Sequence, residues 1–329
     1  MSIENAAYRS TCPELTRADD FFSFWDETRK ELDNVAISHR IKQTRNLTDD
    51  LTEQWIEFDS LQNIAVTAYT LFWNDNRPRP LLVYTHGYEG QCEVMTNSAR
   101  HGINIIGVDL RGMGRSKASL ADLSPMGYIL TGIESPQQSI LRGAVCDFIR
   151  ASEIARHILS VNISRTIFHG HSFGGAISLM AAALTHTPDL LISGVPTLGW
   201  AEGRLHLVKR GSGQEINHYL ETNSNNRAGL MQVLSYFDTM NFADRVQCPT
   251  LLGVGQSDDI VPAATVYAIS NHLRCPLEIR EFPVSHSEAR EESLWSQFES
   301  EWLKLATDNN LNMFGESGNR FKQINPFNL

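Results

Sequence analysis

Between Arg165 and Leu184 the chain passes from β-branched and aromatic residues, through Phe168-His169-Gly170-His171-Ser172-Phe173-Gly174-Gly175, into an apolar stretch of helical character. A serine set between glycines at this spacing fits a sharp turn from a strand into a helix, the nucleophile elbow. Both flanks are in place, with strand character over Arg165 to His169 and helical character over Ala176 to Leu184. Gly170 and Gly174 leave room where a Cβ would clash, so the Ser172 hydroxyl can project while its backbone stays strained. The plainer reading is a glycine-rich turn with an incidental serine, and the strand and helix argue against it.

An elbow needs a sheet to stand on. Continuous apolar runs at Leu81 to Tyr84 and Ile103 to Val108 read as strands buried on both faces, and the pattern returns at Leu190 to Val195, Thr250 to Val254 and Leu277 to Phe282. Helical candidates fall between or beside them at Leu141 to Leu159, Pro262 to His272 and Glu292 to Leu305. The alternation predicts an α/β fold with a mostly parallel central sheet and helices on both faces. Ahead of it, Gln54 to Asp59 and Ile64 to Phe72 alternate and predict an antiparallel hairpin or meander. Asp20 to Leu32 reads as a helix whose aromatic first turn packs on the main body. Two stretches break the pattern: Ser116 to Pro136 is loop-rich, and Trp200 to Tyr236 is helical and polar. Both are expected to overhang the site as a helical and loop insertion. The expected organisation is a single domain over 1–329, with an N-terminal helical extension over 1–50, a cap-like insertion over about 196–245, and a tail or exchange arm over 307–329.

A serine nucleophile needs a general base, and the base needs an orienting carboxylate. Gly253-Val254-Gly255-Gln256-Ser257-Asp258-Asp259 follows one late strand and Val284-Ser285-His286 follows the next, giving the chain order Ser172, Asp258, His286. That is the order of an α/β-hydrolase triad. An isolated loop aspartate is more often a solvated turn residue; its place after a late strand is what singles this one out. Acyl transfer also needs donors aimed at the developing oxyanion. The backbone N–H of Phe173 is one candidate, and the backbone N–H of Tyr88, in Thr85-His86-Gly87-Tyr88-Glu89-Gly90, is the other, its flanking glycines permitting close approach. Tyr88, Phe173 and Trp200 are expected to contact the substrate.

Other chemistries fit less well. Gly112-Met113-Gly114 follows an apolar strand, yet Lys117 stands where a dinucleotide fingerprint needs its third glycine. His169 and His171 lie two apart without a neighbouring carboxylate and histidine cluster, so no metal and no cofactor are expected. A net charge of -10 disfavours nucleic acid or an anionic membrane as partner, because both require a basic surface. The five cysteines are dispersed and form no CxxC pair, and the first ten residues lack a signal-peptide pattern, which points to the cytoplasm.

The chain resembles the acetyl xylan esterase and cephalosporin C deacetylase family, carbohydrate esterase family seven. The resemblance rests on Phe24-Trp25-Asp26-Glu27-Thr28, His86-Gly87-Tyr88, Arg111-Gly112-Met113-Gly114, Arg142-Gly143 with Asp147 and Arg150, Ser235-Tyr236-Phe237-Asp238, and Asp258 with Pro262. It implies an α/β-hydrolase fold, Ser172, His286 and Asp258 as triad, backbone oxyanion donors at Tyr88 and Phe173, and cofactor-free hydrolysis of small acetyl esters on sugars or cephalosporins. It aligns Asp258, not Asp259, with the catalytic acid, leaving Asp259 to face solvent or cap the next helix. It also implies a homo-oligomer, a hexamer whose sites face an inner chamber. Phe173 and Ser287 stand where the family usually has Gln and Glu, and the first is expected to change the polarity of the pocket. The expected function is a serine carboxylesterase acting on a small acyl ester. An acyltransferase or tailoring enzyme of secondary metabolism would use the same triad, and a non-catalytic scaffold would have no need of one.

Overall fold

The computed structural model describes residues 8–160, 162–208, 210–283, 285 and 286, together with the backbone of Phe321–Gln323. Helix α1 (Phe21–Asp33) comes first, and its buried Phe21, Phe24, Trp25, Thr28 and Leu32 recur at helical spacing. Three strands follow, β1 (His39–Asn46), β2 (Leu51–Asp59) and β3 (Ala65–Trp73), each antiparallel to the next. The hairpin expected from alternation is therefore β2 and β3. Strand β1 was not anticipated, because His-Arg-Ile-Lys-Gln-Thr-Arg-Asn carries no apolar alternation and lies almost wholly in solvent.

The chain continues through β4 (Arg79–Thr85), the short helix α2 (Thr96–Arg100), β5 (Asn104–Asp109), α3 (Ile140–Leu159), β6 (Ile163–His171) and α4 (Phe173–Thr185). After β7 (Leu190–Gly194) come three helices, α5 (Ala201–Leu207), α6 (Ser212–Thr222) and α7 (Arg227–Ser235), then β8 (Thr250–Gly255), α8 (Ala263–Ser270), β9 (Leu277–Phe282) and β10 (Phe321–Gln323). The sheet order is β1-β2-β3-β5-β4-β6-β7-β8-β9-β10, and every pairing from β5 onward is parallel. Part of the stretch expected to be a tail thus adds a strand beside β9. The helix expected over Glu292 to Leu305 and the rest of the tail lie outside the described residues.

Strand periodicity places a core on each face of the sheet. On β4, Leu81 and Val83 join one core and Leu82 the other; on β5, Ile106 and Val108 oppose Ile105 in the same way. Helices α1, α3 and α4 close the first core, while Ala99 of α2 and Val266 and Tyr267 of α8 help close the second. Helix α3 starts at Ser139, whose Oγ accepts from Leu141 N–H at 3.3 Å. Helix α1 is held by Trp25, which donates from Nε1 to the Tyr236 carbonyl at 3.1 Å and meets Phe242 edge-on at 5.5 Å.

Candidate active site

Strands β4 and β6 are neighbours, with Thr85 opposite Gly170, so the loops leaving their carboxyl ends emerge side by side. Ligands of parallel α/β sheets bind at these ends, where the strand order reverses. Beyond β6 the chain turns at Ser172, held at φ 56° and ψ -112°, and α4 begins at the next residue. A Cβ on Gly170 would run into the backbone of Gly174, and one on Gly174 would lie 2.5 Å from the Thr85 carbonyl oxygen. The two glycines are required because strand end, helix start and the β4 loop press together here. The strained turn is pinned on both sides: Ser172 N–H donates to the Gly194 carbonyl at 2.8 Å, and its own carbonyl accepts from Ala176 at 3.1 Å and Thr197 at 3.2 Å.

The loops after β8 and β9 bring Asp258 and His286 together. His286 Nδ1–H donates to Asp258 Oδ2 at 2.7 Å, which leaves Nε2 as the ring nitrogen able to take a proton. Asp258 Oδ1 meanwhile accepts from Ile260 N–H at 2.9 Å and Val261 N–H at 2.8 Å, so its carboxylate is clamped from behind. Asp259, expected to face solvent or cap a helix, is half-exposed and pairs with Arg210 at 2.6 Å; the turn-capping bonds belong to Asp258. Ser172 Oγ and the imidazole are not hydrogen-bonded to each other, a contact that in hydrolases tightens when substrate arrives. The His171 ring stands 5.8 Å from that of His286, whereas His169 is directed to the Ile192 carbonyl and stacks on Tyr84. Among the described residues no group of three or more His, Cys, Asp or Glu is placed to hold a metal ion, and no helix is long and apolar enough to cross a membrane.

Phe173 is the first residue of α4, so its N–H has no acceptor within the helix. Its side chain was expected to alter the polarity of the pocket. Instead it is wholly buried and packs edge-on against Tyr88 at 5.6 Å and Tyr128 at 6.0 Å, filling the interior beneath the β4 loop. The Tyr88 hydroxyl donates to Glu215 of α6 at 2.6 Å and accepts from Ile129 N–H at 3.1 Å. Both segments expected to overhang the site therefore converge on Tyr88. Trp200 lines a groove of about 690 Å³ between residues 13–20 and residues 201–236, whose walls include neither Ser172, Asp258 nor His286.

Three residues between 196 and 245 hold contacts that sequence reasoning did not assign, Asp238 having appeared only within the Ser235-Tyr236-Phe237-Asp238 motif. Arg204 is buried, donating to Thr197 Oγ1 at 2.7 Å and Ser212 Oγ at 3.1 Å, and burial lowers its pKa to about 10. Asp238 accepts from the backbone of Trp200 at 2.9 Å, Ala201 at 2.7 Å and Met240 at 3.0 Å, fixing the start of α5. Burial outweighs these bonds and pushes its carboxyl up to about 6. Glu215, whose carboxyl is also raised by burial, is the third.

The sequence model of the acetyl xylan esterase family matches residues 3–304. The chain belongs to this family. An acetyl esterase of Xylanibacter ruminicola is 24% identical over 178 residues, covering 54% of this chain and 39% of that protein, so the match spans well under half of the relative's length. Among solved structures, an acetyl xylan esterase from Paenibacillus sp. R4 superposes with a TM-score of 0.79 at 24% identity, covering 91% of this chain and 99% of the other. Acetyl xylan esterase 1 from Thermoanaerobacterium sp. JW/SL YS485 gives 0.82 at 21% identity, covering 92% and 98%. At such identities the likeness is one of fold, and it is the α/β-hydrolase fold that the elbow predicts. The acetyl xylan esterase family is one of carboxylic ester hydrolases built on that fold.

Proposed function

We propose that this protein is a serine carboxylesterase that removes acetyl, or another short acyl group, from the oxygen of a sugar or a small natural product. The observation that carries the reading is the His286 Nδ1 to Asp258 Oδ2 hydrogen bond, formed at the same end of the sheet as a serine in a strained strand-to-helix turn. Ser172 passes its proton to His286 Nε2 and attacks the ester carbonyl. Asp258 keeps the imidazole in the tautomer that can accept that proton and stabilises the imidazolium formed. The backbone N–H groups of Phe173 and Tyr88 bind the oxyanion of the tetrahedral intermediate. His286 then protonates the leaving alcohol oxygen, and a water activated by the same base releases the acid and restores Ser172.

Family membership supports the acetyl preference, and the net charge of -10 suits a neutral substrate better than an anionic one. Full-length protein assayed on 4-nitrophenyl esters of increasing acyl length should prefer acetate, and should release acetate from acetylated xylo-oligosaccharides. Ser172→Ala should remain folded and lose at least about four orders of magnitude in kcat. A loss smaller than about tenfold would remove Ser172 from the nucleophile role.

A further inference from the structure

We propose that Glu215 is a positioning residue for the oxyanion loop: from the cap it holds the Tyr88 side chain, and thereby the Tyr88 backbone amide, in the geometry the reaction needs. The inference rests on the reading of that amide as an oxyanion donor. Tyr88 belongs to a short turn closed by Gly90 N–H donating to the Gly87 carbonyl at 3.1 Å, with Glu89 at a φ of 54°. A turn flanked by glycines has little intrinsic stiffness. Two side chains link it to the rest of the molecule: His86, whose Nδ1 bonds the Gly87 carbonyl at 2.7 Å while its Nε2 accepts from Leu110 N–H at 3.2 Å, and Tyr88, whose hydroxyl is used twice, as donor to Glu215 and as acceptor from Ile129 N–H.

Glu215 is itself closely seated. Its carboxylate occupies the space that a Cβ on Gly127 would fill, and Gly127 has a φ of +135°, which an L side chain rarely adopts. The cap helix and the 127–130 loop can approach Tyr88 together because that position is a glycine. On the far side, the Tyr88 ring meets Phe173 edge-on, and Tyr128 meets both rings while donating its own hydroxyl to the Arg111 carbonyl at 2.9 Å. The side chains of the two residues offering oxyanion amides are therefore in contact, and Glu215 anchors that cluster to α6. The same helix reaches the nucleophile by a second route. Its first residue, Ser212, accepts from Arg204, which also donates to Thr197, and Thr197 N–H donates to the Ser172 carbonyl.

Donors aimed at an oxyanion act only when held within a fraction of an ångström of the developing charge. Losing one outright costs about 10²–10³ in kcat, so a donor that is present but loosened should cost about 10- to 100-fold. The effect should fall on kcat, because the oxyanion exists only in the transition state.

The test is steady-state kinetics of the full chain on 4-nitrophenyl acetate, with thermal unfolding as the check on folding, for wild type, Glu215→Ala, Glu215→Gln, Tyr88→Phe and the Glu215→Ala/Tyr88→Phe double variant. Glu215→Ala and Tyr88→Phe should each lower kcat by about 10- to 100-fold while KM stays within about threefold. The double variant should be no worse than the weaker single within about threefold, since both changes break one tether. Glu215→Gln, which keeps an acceptor for the phenol, should recover most of the rate. Affinity for a boronic acid that forms a tetrahedral adduct on the serine should fall in step with kcat/KM. Single effects that multiply in the double variant, a change confined to KM, or a Tyr88→Phe protein within about twofold of wild type would overturn the proposal. Should Glu215→Ala fail to fold, Tyr88→Phe and Glu215→Gln still decide it. An inactive wild type, or a Ser172→Ala protein with full activity, would instead reject the esterase reading itself.

Discussion

Asp258 uses both carboxylate oxygens, one for His286 and one for the turn at Ile260 and Val261, whereas its neighbour Asp259 pairs with Arg210 at the surface. Asp258→Asn should therefore lower kcat by up to about four orders of magnitude, as a wrong imidazole tautomer does, while Asp259→Asn costs less than about twofold. Kinetics of both variants on one ester check the ranking. Asp238 supports a different test. Its carboxyl is raised by burial from 3.8 to about 6, so between those values the folded protein binds more protons than the unfolded chain. Stability tied to this group is full below about 3.8 and is lost as the pH rises through 6, by up to about 3 kcal/mol. Urea unfolding of wild type and Asp238→Asn at pH 4 and pH 7 should show the difference shifting against wild type by about 2–3 kcal/mol at the higher pH. The elbow and the chain order Ser172, Asp258, His286 are legible at this scale, because a tight turn imposes local residue requirements and the other two residues follow late strands. Glu215 was not, since a carboxylate in a polar helical stretch looks the same whether it meets water or a buried hydroxyl, and Asp238 stood out only through the family motif, with nothing in it to show which amides it would cap.

At the scale of elements, the strands lining the two cores follow their apolar runs to within a few residues, and α1, α3, α4 and α8 follow theirs. Strand β1 is the exception, fixed by pairing and charge: Arg40 bonds Glu57 at 3.1 Å and Asp59 at 2.8 Å across to β2, and Lys42 bonds Glu57 at 3.1 Å. Such charged, solvent-facing edges also discourage further strand addition. Deeper in the fold, the end of β5 is fastened to α3 by Arg111 and Asp147, both buried, with guanidinium contacts of 2.7–3.2 Å and a backbone bond of 2.9 Å. Removing one partner leaves the other as an uncompensated buried charge. Arg111→Met should lower unfolding stability by about 3–5 kcal/mol, measured as a fall in the urea midpoint.

For the whole molecule, the family resemblance bears on assembly. We propose a homo-oligomer larger than a dimer, with entry to the sites limited by the size of the substrate. Light scattering at assay concentration should give a mass several times the 36.9 kDa of one chain, and a mass near that of the monomer would contradict it. Long acyl or bulky alcohol esters should then be poor substrates relative to acetate.

The sequence alone determined the strand-to-helix turn at Ser172, the alternation that builds a parallel sheet, and the placement of Asp258 and His286 after late strands. Each of these is written in backbone sterics or in periodicity over a few residues. Only the tertiary structure decided that Phe173 lies inside the core, that Trp200 lines a separate groove, and that Tyr88 is tied to Glu215, 127 positions along the chain. Contacts at that separation depend on how the helices over residues 201–235 pack against the 128–130 turn and the β4 loop, and no local pattern of residues encodes which polar side chain will meet which.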